Sequence, residues 1–194
     1  MGLLRAFIAC EISSSLQDSI RAATAQLRAG LGPDLVRWVP RQNVHLTLKF
    51  LGDVSSSSLD LIVSSLTVEA ARHETFDLLV EGCGAFPNVR RPRVLWVGLT
   101  APPGLGLLHR DLDAATARLG FKSEDRPFSP HLTIGYVRPN ASATQREKIG
   151  AEITRLNVGK LGSQHVDAIH LFKSDLQRTG AVHTKLQTAP LGVA

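Results

Sequence analysis

Cysteine, aromatic residues and long apolar runs are all scarce in this chain of 194 residues. Its two cysteines, Cys10 and Cys83, have no CxxC or CxxH neighbour. This argues against a structural zinc site and predicts buried thiols, with one disulfide as the alternative. No apolar run approaches the roughly 20 residues that a membrane helix needs. The first apolar stretch contains Arg5 and ends at Glu11, so we expect no signal peptide and a cytoplasmic location.

The overall composition is that of a globular protein, with 43% apolar and 20% charged residues. The length fits one compact domain spanning residues 1–194. A formal net charge of +5 is compatible with an anionic partner such as nucleic acid. The aromatic content of 5% argues against a long platform for stacking single-stranded bases.

The pattern of apolar residues repeats its order of elements in the two halves of the chain. A strand over 3–11 precedes a helix over 13–30, which has a serine N-cap and ends at Gly30. In each half we predict a strand, a helix, a strand beginning with His-Leu-Thr (HLT), a helix and a final strand. The two HLT motifs are 86 residues apart. An internal duplication with a pseudo-twofold axis is the simplest explanation.

Each of the two HLT strands has one polar face, which contains the candidate catalytic residues. Strict alternation places His45, Thr47 and Lys49 on one face of the first strand and apolar residues on the other. In the second strand, His131 and Thr133 share a face in the same way. A pseudo-twofold axis that brings the polar faces together would line one groove with two histidines and two threonines.

Two histidines facing one phosphate suit the opening of a phosphodiester. One imidazole can deprotonate the attacking oxygen and the other can protonate the leaving oxygen, both near neutral pH. Threonine hydroxyls can bind the non-bridging oxygens. A third HxT, at His73–Thr75, has Glu74 between its two members and lies at a predicted helix end, so it lacks this setting.

A metal site is the competing use of histidines. Neither HLT motif is HxH or HExxH, and the nearby carboxylates Asp53, Glu124 and Asp125 lack a recognisable ligand spacing. We therefore expect neither metal nor cofactor. No GxSxG, P-loop or GxGxxG motif occurs.

Segments along almost the whole chain carry a family resemblance, among them RAFIACEI, RWVPRQNVHLTLKFLGDV, GCGAFPNVRRPRVLWVGL and LGFKSEDRPFSPHLTIGYVR. They resemble the two-histidine phosphoesterase superfamily, most closely its bacterial and archaeal RNA 2′,3′-cyclic phosphodiesterases, once named 2′–5′ RNA ligases. The resemblance implies an α+β fold that is bilobal and internally duplicated. Antiparallel strands would surround a central groove, with the helices outside.

The resemblance also implies an activity, the metal-independent hydrolysis of an RNA or nucleotide 2′,3′-cyclic phosphate to a 2′-phosphate. It makes His45 the proton donor and His131 the proton acceptor. It also implies that Thr47 and Thr133 bind the phosphate. The expected partner is an RNA with a 2′,3′-cyclic phosphate end or a small cyclic nucleotide, bound by a monomer. The alternatives are 2′–5′ RNA ligation by the reverse reaction and a non-catalytic RNA- or nucleotide-binding module.

Three further residues belong to the predicted substrate site. Lys49 continues the His45 face, so we expect it in the groove. The family commonly has an arginine at the position of Tyr136, and Arg138 has the same strand parity and is the candidate substitute. Tyr136 itself is predicted on the side opposite His131. A fourth position, His183, departs from the tyrosine that is common in the family's last strand.

Overall fold

A computed structural model describes residues 2–177 and 180–192 of the chain. These residues form nine strands: β1 (Leu3–Glu11), β2 (Val36–Trp38), β3 (His45–Ser55), β4 (Phe76–Phe86), β5 (Val94–Thr100), β6 (His131–Val137), β7 (Gly162–Val166), β8 (Ala168–Gln177) and β9 (Gly180–Pro190). The same residues form five α-helices: α1 (Ser14–Ala23), α2 (Ala25–Leu35), α3 (Leu59–Ala70), α4 (Pro103–Arg118) and α5 (Ala143–Arg155).

Helices α1, α4 and α5 begin where their sequence signals predict. The Ser13 hydroxyl accepts a hydrogen bond from the Leu16 amide at the start of α1. Pro103 occupies the first turn of α4, where its missing N–H leaves no intrahelical bond unmade. Ser142 and Gln145 form a reciprocal capping box at α5. In the described part of the chain, no helix combines the length and the apolar character needed to cross a membrane.

Two predicted boundaries are wrong. The helix expected over 13–30 is broken at Thr24, and its second part continues past Gly30 to Leu35 with an interruption at Gly32, whose φ is +65°. Residues 165–176, for which the sequence predicts one strand, are divided between two strands, β7 and β8. They separate because β7 pairs with β4, whereas β8 pairs with β1 and β9.

The strands form one sheet in the order β7-β4-β5-β6-β3-β1-β8-β9, with β2 pairing with another part of β6. The named strands pair antiparallel throughout the described residues. Four strands lie on each side of the β6–β3 junction, and these two central strands carry the HLT motifs. The mixed α and β class with antiparallel strands is confirmed, and the strand order agrees with the bilobal arrangement that the family resemblance implies.

The two faces of the sheet differ in what covers them. The main hydrophobic core joins one face to apolar side chains from all five helices. The leucines of the two HLT motifs belong to this core, with Leu46 exposed by 1% and Leu132 by 0%. A second, small cluster of Phe7, Ala9 and Phe172 lies apart from it. Because neighbouring residues on a strand point to opposite faces, the HLT histidines and threonines project away from the helices.

Candidate active site

The two HLT strands meet at the centre of the sheet. Leu46 of β3 is paired with Leu132 of β6 in an antiparallel ladder. Continuing this register by one residue in each direction places the histidine of each motif opposite the threonine of the other. The structure therefore brings together the four side chains that the motifs contribute: His45, Thr47, His131 and Thr133.

Each HLT strand contains a β-bulge three residues after its histidine. The register of β3 with β1 skips Leu48, and the register of β6 with β5 skips Ile134. A bulge adds one residue to a strand and reverses the alternation of the side chains that follow. These matching bulges change the face on which the next residues of both strands lie.

The prediction that Lys49 shares the face of His45 is wrong, because the bulge at Leu48 turns Lys49 toward the core. Lys49 is only 1% exposed, and its Nζ forms an ion pair with Asp113 of α4. The same Nζ donates to the backbone carbonyl of Lys122 at 2.6 Å. Phe50, which is 62% exposed, takes the outward position that alternation assigned to Lys49.

Tyr136 also lies on a different face from the one that simple alternation predicts. It is 37% exposed, whereas the next residue, Val137, is 7% exposed and belongs to the main core. The bulge at Ile134 thus brings Tyr136 to the outward face, the face of His131 and Thr133. The Arg37 guanidinium lies over the Tyr136 ring, 4.7 Å from its centroid. Arg37 therefore places a cation beside the position where the family commonly has an arginine.

Arg138 lies just beyond the end of β6. Its Nε donates to the carbonyl of Pro33 at 3.0 Å, and its backbone N–H donates to the carbonyl of Leu35. These contacts direct Arg138 toward the end of α2, away from the HLT threonines. Its expected contribution to phosphate binding stays a prediction, and Arg37 is the arginine that contacts Tyr136 directly.

Aromatic rings surround His45. Phe7 of β1 stacks on the imidazole with centroids 4.8 Å apart and 23° between the planes. Phe172 of β8 also stacks on Phe7, with centroids 5.2 Å apart, and its ring lies 6.4 Å from the His45 ring. The His183 ring stands edge-on to His45 at 5.3 Å. The departure at position 183 therefore places a third imidazole in direct contact with the predicted proton donor.

His131 has a corresponding but different aromatic setting. Phe86 of β4 meets its ring edge-on, with centroids 4.8 Å apart and 80° between the planes. Trp96 of β5 pairs with Thr133 across the ladder and contacts Phe86 at 5.3 Å. Gly84 makes room for this indole, because a Cβ there would lie 2.4 Å from the Trp96 ring.

A backbone carbonyl orients the His131 imidazole. His131 Nδ1 lies 2.7 Å from the carbonyl oxygen of Ser129, two residues earlier. Since a carbonyl oxygen only accepts, Nδ1 carries the proton, and Nε2 of the neutral ring has a free lone pair. The Asn43 backbone, also two residues before its histidine, raises the pKa of His45.

The two imidazoles nevertheless differ in proton affinity. Burial lowers the pKa of His45 to about 4, and charge on His183 and, to a lesser extent, His131 adds to the effect, against the backbone bond at Asn43. Burial also lowers the pKa of His131, and the hydrogen bond to Ser129 opposes that shift. Both rings are therefore mainly neutral at pH 7 in the ligand-free protein.

A cavity of about 650 Å³ adjoins His45 and lies between α1, β7, β8 and β9. Its aromatic wall includes Phe172 and His183, and His170 is a buried polar residue in its lining. His170 Nδ1 lies 3.1 Å from the Thr188 hydroxyl. Glu11, which also lines the cavity, accepts a hydrogen bond from Lys185 Nζ at 2.6 Å. His131 does not line this cavity.

Among residues 2–177 and 180–192, no group of three or more His, Cys, Asp or Glu side chains is placed to hold a metal ion. The expectation of metal-independent chemistry stays a prediction. The HLT motifs contribute two imidazoles and two hydroxyls to the same region of the sheet.

Several residues at the site carry no signal in the sequence. Phe7 lies in the apolar run 6–10 of β1, so alternation could not assign it a face. Trp96 and Phe172 are the single aromatic residues of ordinary β-strands, and Phe86 is the last residue of β4. Arg37 reaches the site through the pairing of β2 with β6. Only tertiary pairing reveals these neighbours.

Comparison with known proteins gives a consistent result. The family model described as the 2′-5′ RNA ligase superfamily matches residues 16–178. A protein of Methanothermobacter thermautotrophicus named RNA 2′,3′-cyclic phosphodiesterase is 32% identical over 95% of this chain and 97% of its own length. The chain belongs to the 2′-5′ RNA ligase superfamily.

Solved structures agree with this membership. The crystal structure of TT0787 from Thermus thermophilus covers 98% of this chain and 99% of its own, with a TM-score of 0.76 and 25% identity. Escherichia coli LigT in complex with 3′-AMP covers the same shares, with a TM-score of 0.73 and 27% identity. The superfamily fold therefore extends over nearly the entire chain.

Proposed function

We propose that the protein hydrolyses RNA or nucleotide 2′,3′-cyclic phosphates to 2′-phosphates by acid–base catalysis with two histidines. The observation that carries the proposal is the pairing of Leu46 with Leu132 in the β3–β6 ladder. Extended by one residue in each direction, this register sets each HLT histidine opposite the threonine of the other motif. The superfamily membership and the relatives named RNA 2′,3′-cyclic phosphodiesterase support the same activity. An RNA with a cyclic phosphate end and a small cyclic nucleotide are the proposed substrates.

In this mechanism His131 Nε2 accepts a proton from water as the water oxygen attacks phosphorus. The P–O3′ bond breaks in line with the attack, and protonated His45 gives its proton to the departing O3′. The product has a 2′-phosphate and a free 3′-hydroxyl, and the two histidines have exchanged protonation states. Thr47 and Thr133 donate hydrogen bonds to the non-bridging oxygens, where negative charge is held in the transition state.

The donor role requires a protonated His45, although its pKa is about 4 in the ligand-free protein. A phosphate anion bound beside the ring favours the imidazolium and raises that pKa. Substrate binding therefore brings the proton to His45. His131 needs no such change, because its lowered pKa leaves it neutral and ready to act as a base at pH 7.

The cavity supports the assignment of His45 as the donor. In a 2′,3′-cyclic phosphate, both bridging oxygens belong to one ribose, so the nucleoside lies on the leaving-group side of phosphorus. The acid that protonates O3′ must stand on that side too. The cavity of about 650 Å³ adjoins His45 and falls in the usual size range of ligand pockets, roughly 300–1,000 Å³. We place the terminal nucleoside there.

The remaining features of the proposal concern the whole chain. We propose one domain over residues 1–194 with two related halves, which the matching bulges at Leu48 and Ile134 support. The protein would act as a monomer without metal or cofactor. A cytoplasmic location is supported by the two free cysteines, which suit a reducing compartment.

The test uses a short RNA ending in a 2′,3′-cyclic phosphate, incubated with the protein in the presence of EDTA. We expect a 2′-phosphate product. His45→Ala and His131→Ala should each lower the rate by about 10²- to 10⁴-fold, the usual contribution of a general acid or base. Both variants should remain folded, as judged by their circular dichroism.

Three outcomes would contradict the proposal. A 3′-phosphate product would mean that O2′ is the leaving oxygen. Activity that EDTA abolishes and added metal restores would replace the metal-independent mechanism. RNA binding without turnover would favour the non-catalytic binding module.

A further inference from the structure

Lys49 is among the most deeply buried side chains of the protein, and the mechanism above does not use it. Its side chain is 0% exposed, whereas that of its partner Asp113 is 19% exposed. A buried charge is costly unless it is paired and fully hydrogen-bonded. Lys49 meets this condition by bonding Asp113 and also the Lys122 carbonyl, at 2.6 Å. The bulge at Leu48 is what turns Lys49 inward to this position.

Both members of the ion pair hold the segment 119–130, which connects α4 to β6. Asp113 Oδ1 accepts the backbone N–H of Glu124 at 3.1 Å, in addition to the Lys49 ammonium. Burial tends to raise the pKa of Asp113, but the bonds from Lys49, Glu124 and Ser123 outweigh it and keep the pKa below its usual range. The carboxylate is therefore charged at neutral pH and anchors the first part of the segment.

The second part of the segment is held from the same face of α4. His109 precedes Asp113 by one helical turn, and its ring stacks on Phe128 with centroids 4.0 Å apart and 13° between the planes. Phe128 is followed at once by Ser129, whose carbonyl accepts the hydrogen bond from His131 Nδ1. A continuous set of contacts thus leads from Lys49 to the proposed catalytic base.

We propose that the Lys49–Asp113 pair is a positioning device that fixes segment 119–130 so that the Ser129 carbonyl sets the tautomer and orientation of His131. Lys49 lies in the same strand as His45, so the device also ties the strand of the donor to the loop that precedes the acceptor. The inference rests on the proposed function for its kinetic consequences, but its effect on the His131 ring is independent of turnover.

The first experiment compares wild-type protein with Lys49→Met, an uncharged replacement of similar length. Asp113 keeps its bond from Glu124 and its partial contact with water. If the segment shifts, kcat should fall by about 10- to 100-fold, as expected for a displacement near 1 Å, with KM within about twofold. The Ser129 bond raises the pKa of His131, so its loss should move the acidic limb of the pH–rate profile to lower pH.

The second readout is long-range ¹H–¹⁵N NMR of the imidazoles, which distinguishes the two neutral tautomers. Wild-type His131 should carry its proton on Nδ1, and Lys49→Met should give a mixture of tautomers. Phe128→Leu, which breaks the stack on His109 without touching the ion pair, should show the same changes to a smaller degree. This variant keeps the test usable if Lys49→Met folds poorly.

Ile153→Ala is the matched control, because Ile153 is a 2% exposed core residue of α5, away from the segment. It should lower the melting temperature while keeping kcat, the pH profile and the His131 tautomer. The inference is overturned if Lys49→Met lowers the melting temperature like this control and leaves the tautomer unchanged. An inactive wild type with an Nδ1-protonated His131 that responds to Lys49→Met would instead refute the proposed function alone.

Discussion

The half of the site around His45 and the half around His131 share one plan and differ in their surroundings. In each half, an HLT strand has a bulge after its third residue, and two neighbouring strands bring an aromatic pair beside the histidine. Phe7 stacks flat on His45, whereas Phe86 meets His131 edge-on. The His45 half adds the His183 ring and a cavity of about 650 Å³.

The comparison shows how a duplicated motif can supply two different functions. Matching strands bring the backbone two residues earlier to act on each imidazole: the Ser129 carbonyl lies 2.7 Å from His131 Nδ1, and the Asn43 backbone raises the pKa of His45. In the proposed mechanism, their different neighbours would give them different tasks. The cavity would provide room for a leaving nucleoside beside His45, and a neutral His131, whose pKa is lowered, would offer its lone pair to the attacking water.

Apart from the two HLT histidines, the largest expected effect on catalysis comes from the two HLT threonines, the feature that both halves of the site share. Thr47→Val and Thr133→Val keep the β-branched shape and remove one hydroxyl each. Each should lower kcat/KM by about 10- to 100-fold, somewhat less than the loss of an oxyanion-hole donor. Steady-state kinetics on a cyclic phosphate RNA measures both. A loss of kcat/KM in only one variant would mean that only one of the two threonines binds the phosphate.

The next prediction concerns the cavity, which adjoins His45 and is not lined by His131. Ser14 lines it, and Ser14→Trp should fill part of the space meant for the nucleoside. We expect about a tenfold loss of kcat/KM for a ribonucleoside 2′,3′-cyclic phosphate, since an ill-fitting pocket costs on the order of 1–3 kcal/mol. Turnover of ethylene glycol cyclic phosphate, which has no nucleoside, should be unchanged.

Ser15→Trp is the control for the cavity variant, because Ser15 is an exposed neighbour in the same helical turn that does not line the cavity. It should preserve the kinetics of both substrates. Equal losses for both substrates in Ser14→Trp would indicate a damaged site and would remove the nucleoside from this cavity.

A third prediction concerns stability in acid. The pKa of His45 in the folded protein is about 4, below its ordinary value of 6.5, so the unfolded chain binds more protons between these values. The free energy of unfolding should therefore fall as the pH drops from 6.5 toward 4. His45→Gln removes this dependence and should lose about 2 kcal/mol less than wild type between pH 6.5 and pH 5. Urea denaturation at the two pH values gives the comparison.

The smallest expected effect is that of His183. Charge on His183 lowers the pKa of His45, second only to burial. His183→Leu should therefore shift the His45 titration slightly upward while leaving that of His131 in place, as followed by NMR. Equal pKa shifts of His45 and His131 would show that His183 does not act on His45 alone.

The sequence predicts much of this plan, because the HLT motifs lie in strands whose apolar side is plain. His45, Thr47, His131 and Thr133 follow from alternation and from the repeated order of elements. Lys49 does not, since alternation fails at a bulge, and nothing in the local sequence shows that Leu48 is the extra residue.

The surroundings of the motifs could not be predicted for a different reason. Phe172 and His183 reach His45 only because β8 and β9 pair beyond β1, and Arg37 reaches Tyr136 only because β2 pairs with β6. Such long-range pairings depend on tertiary structure. The donor and acceptor roles, by contrast, come from the family resemblance and stay predictions.

The most direct test of the central claim separates the acid from the base. It uses a 2′,3′-cyclic phosphate in which sulfur replaces the 3′ bridging oxygen, because a thiolate leaves without needing a proton. His45→Ala should then hydrolyse this substrate at nearly the wild-type rate, whereas His131→Ala should remain as impaired as it is on the oxygen substrate. Rescue of His131→Ala instead would reverse the two roles, and rescue of neither would contradict acid–base catalysis by this pair.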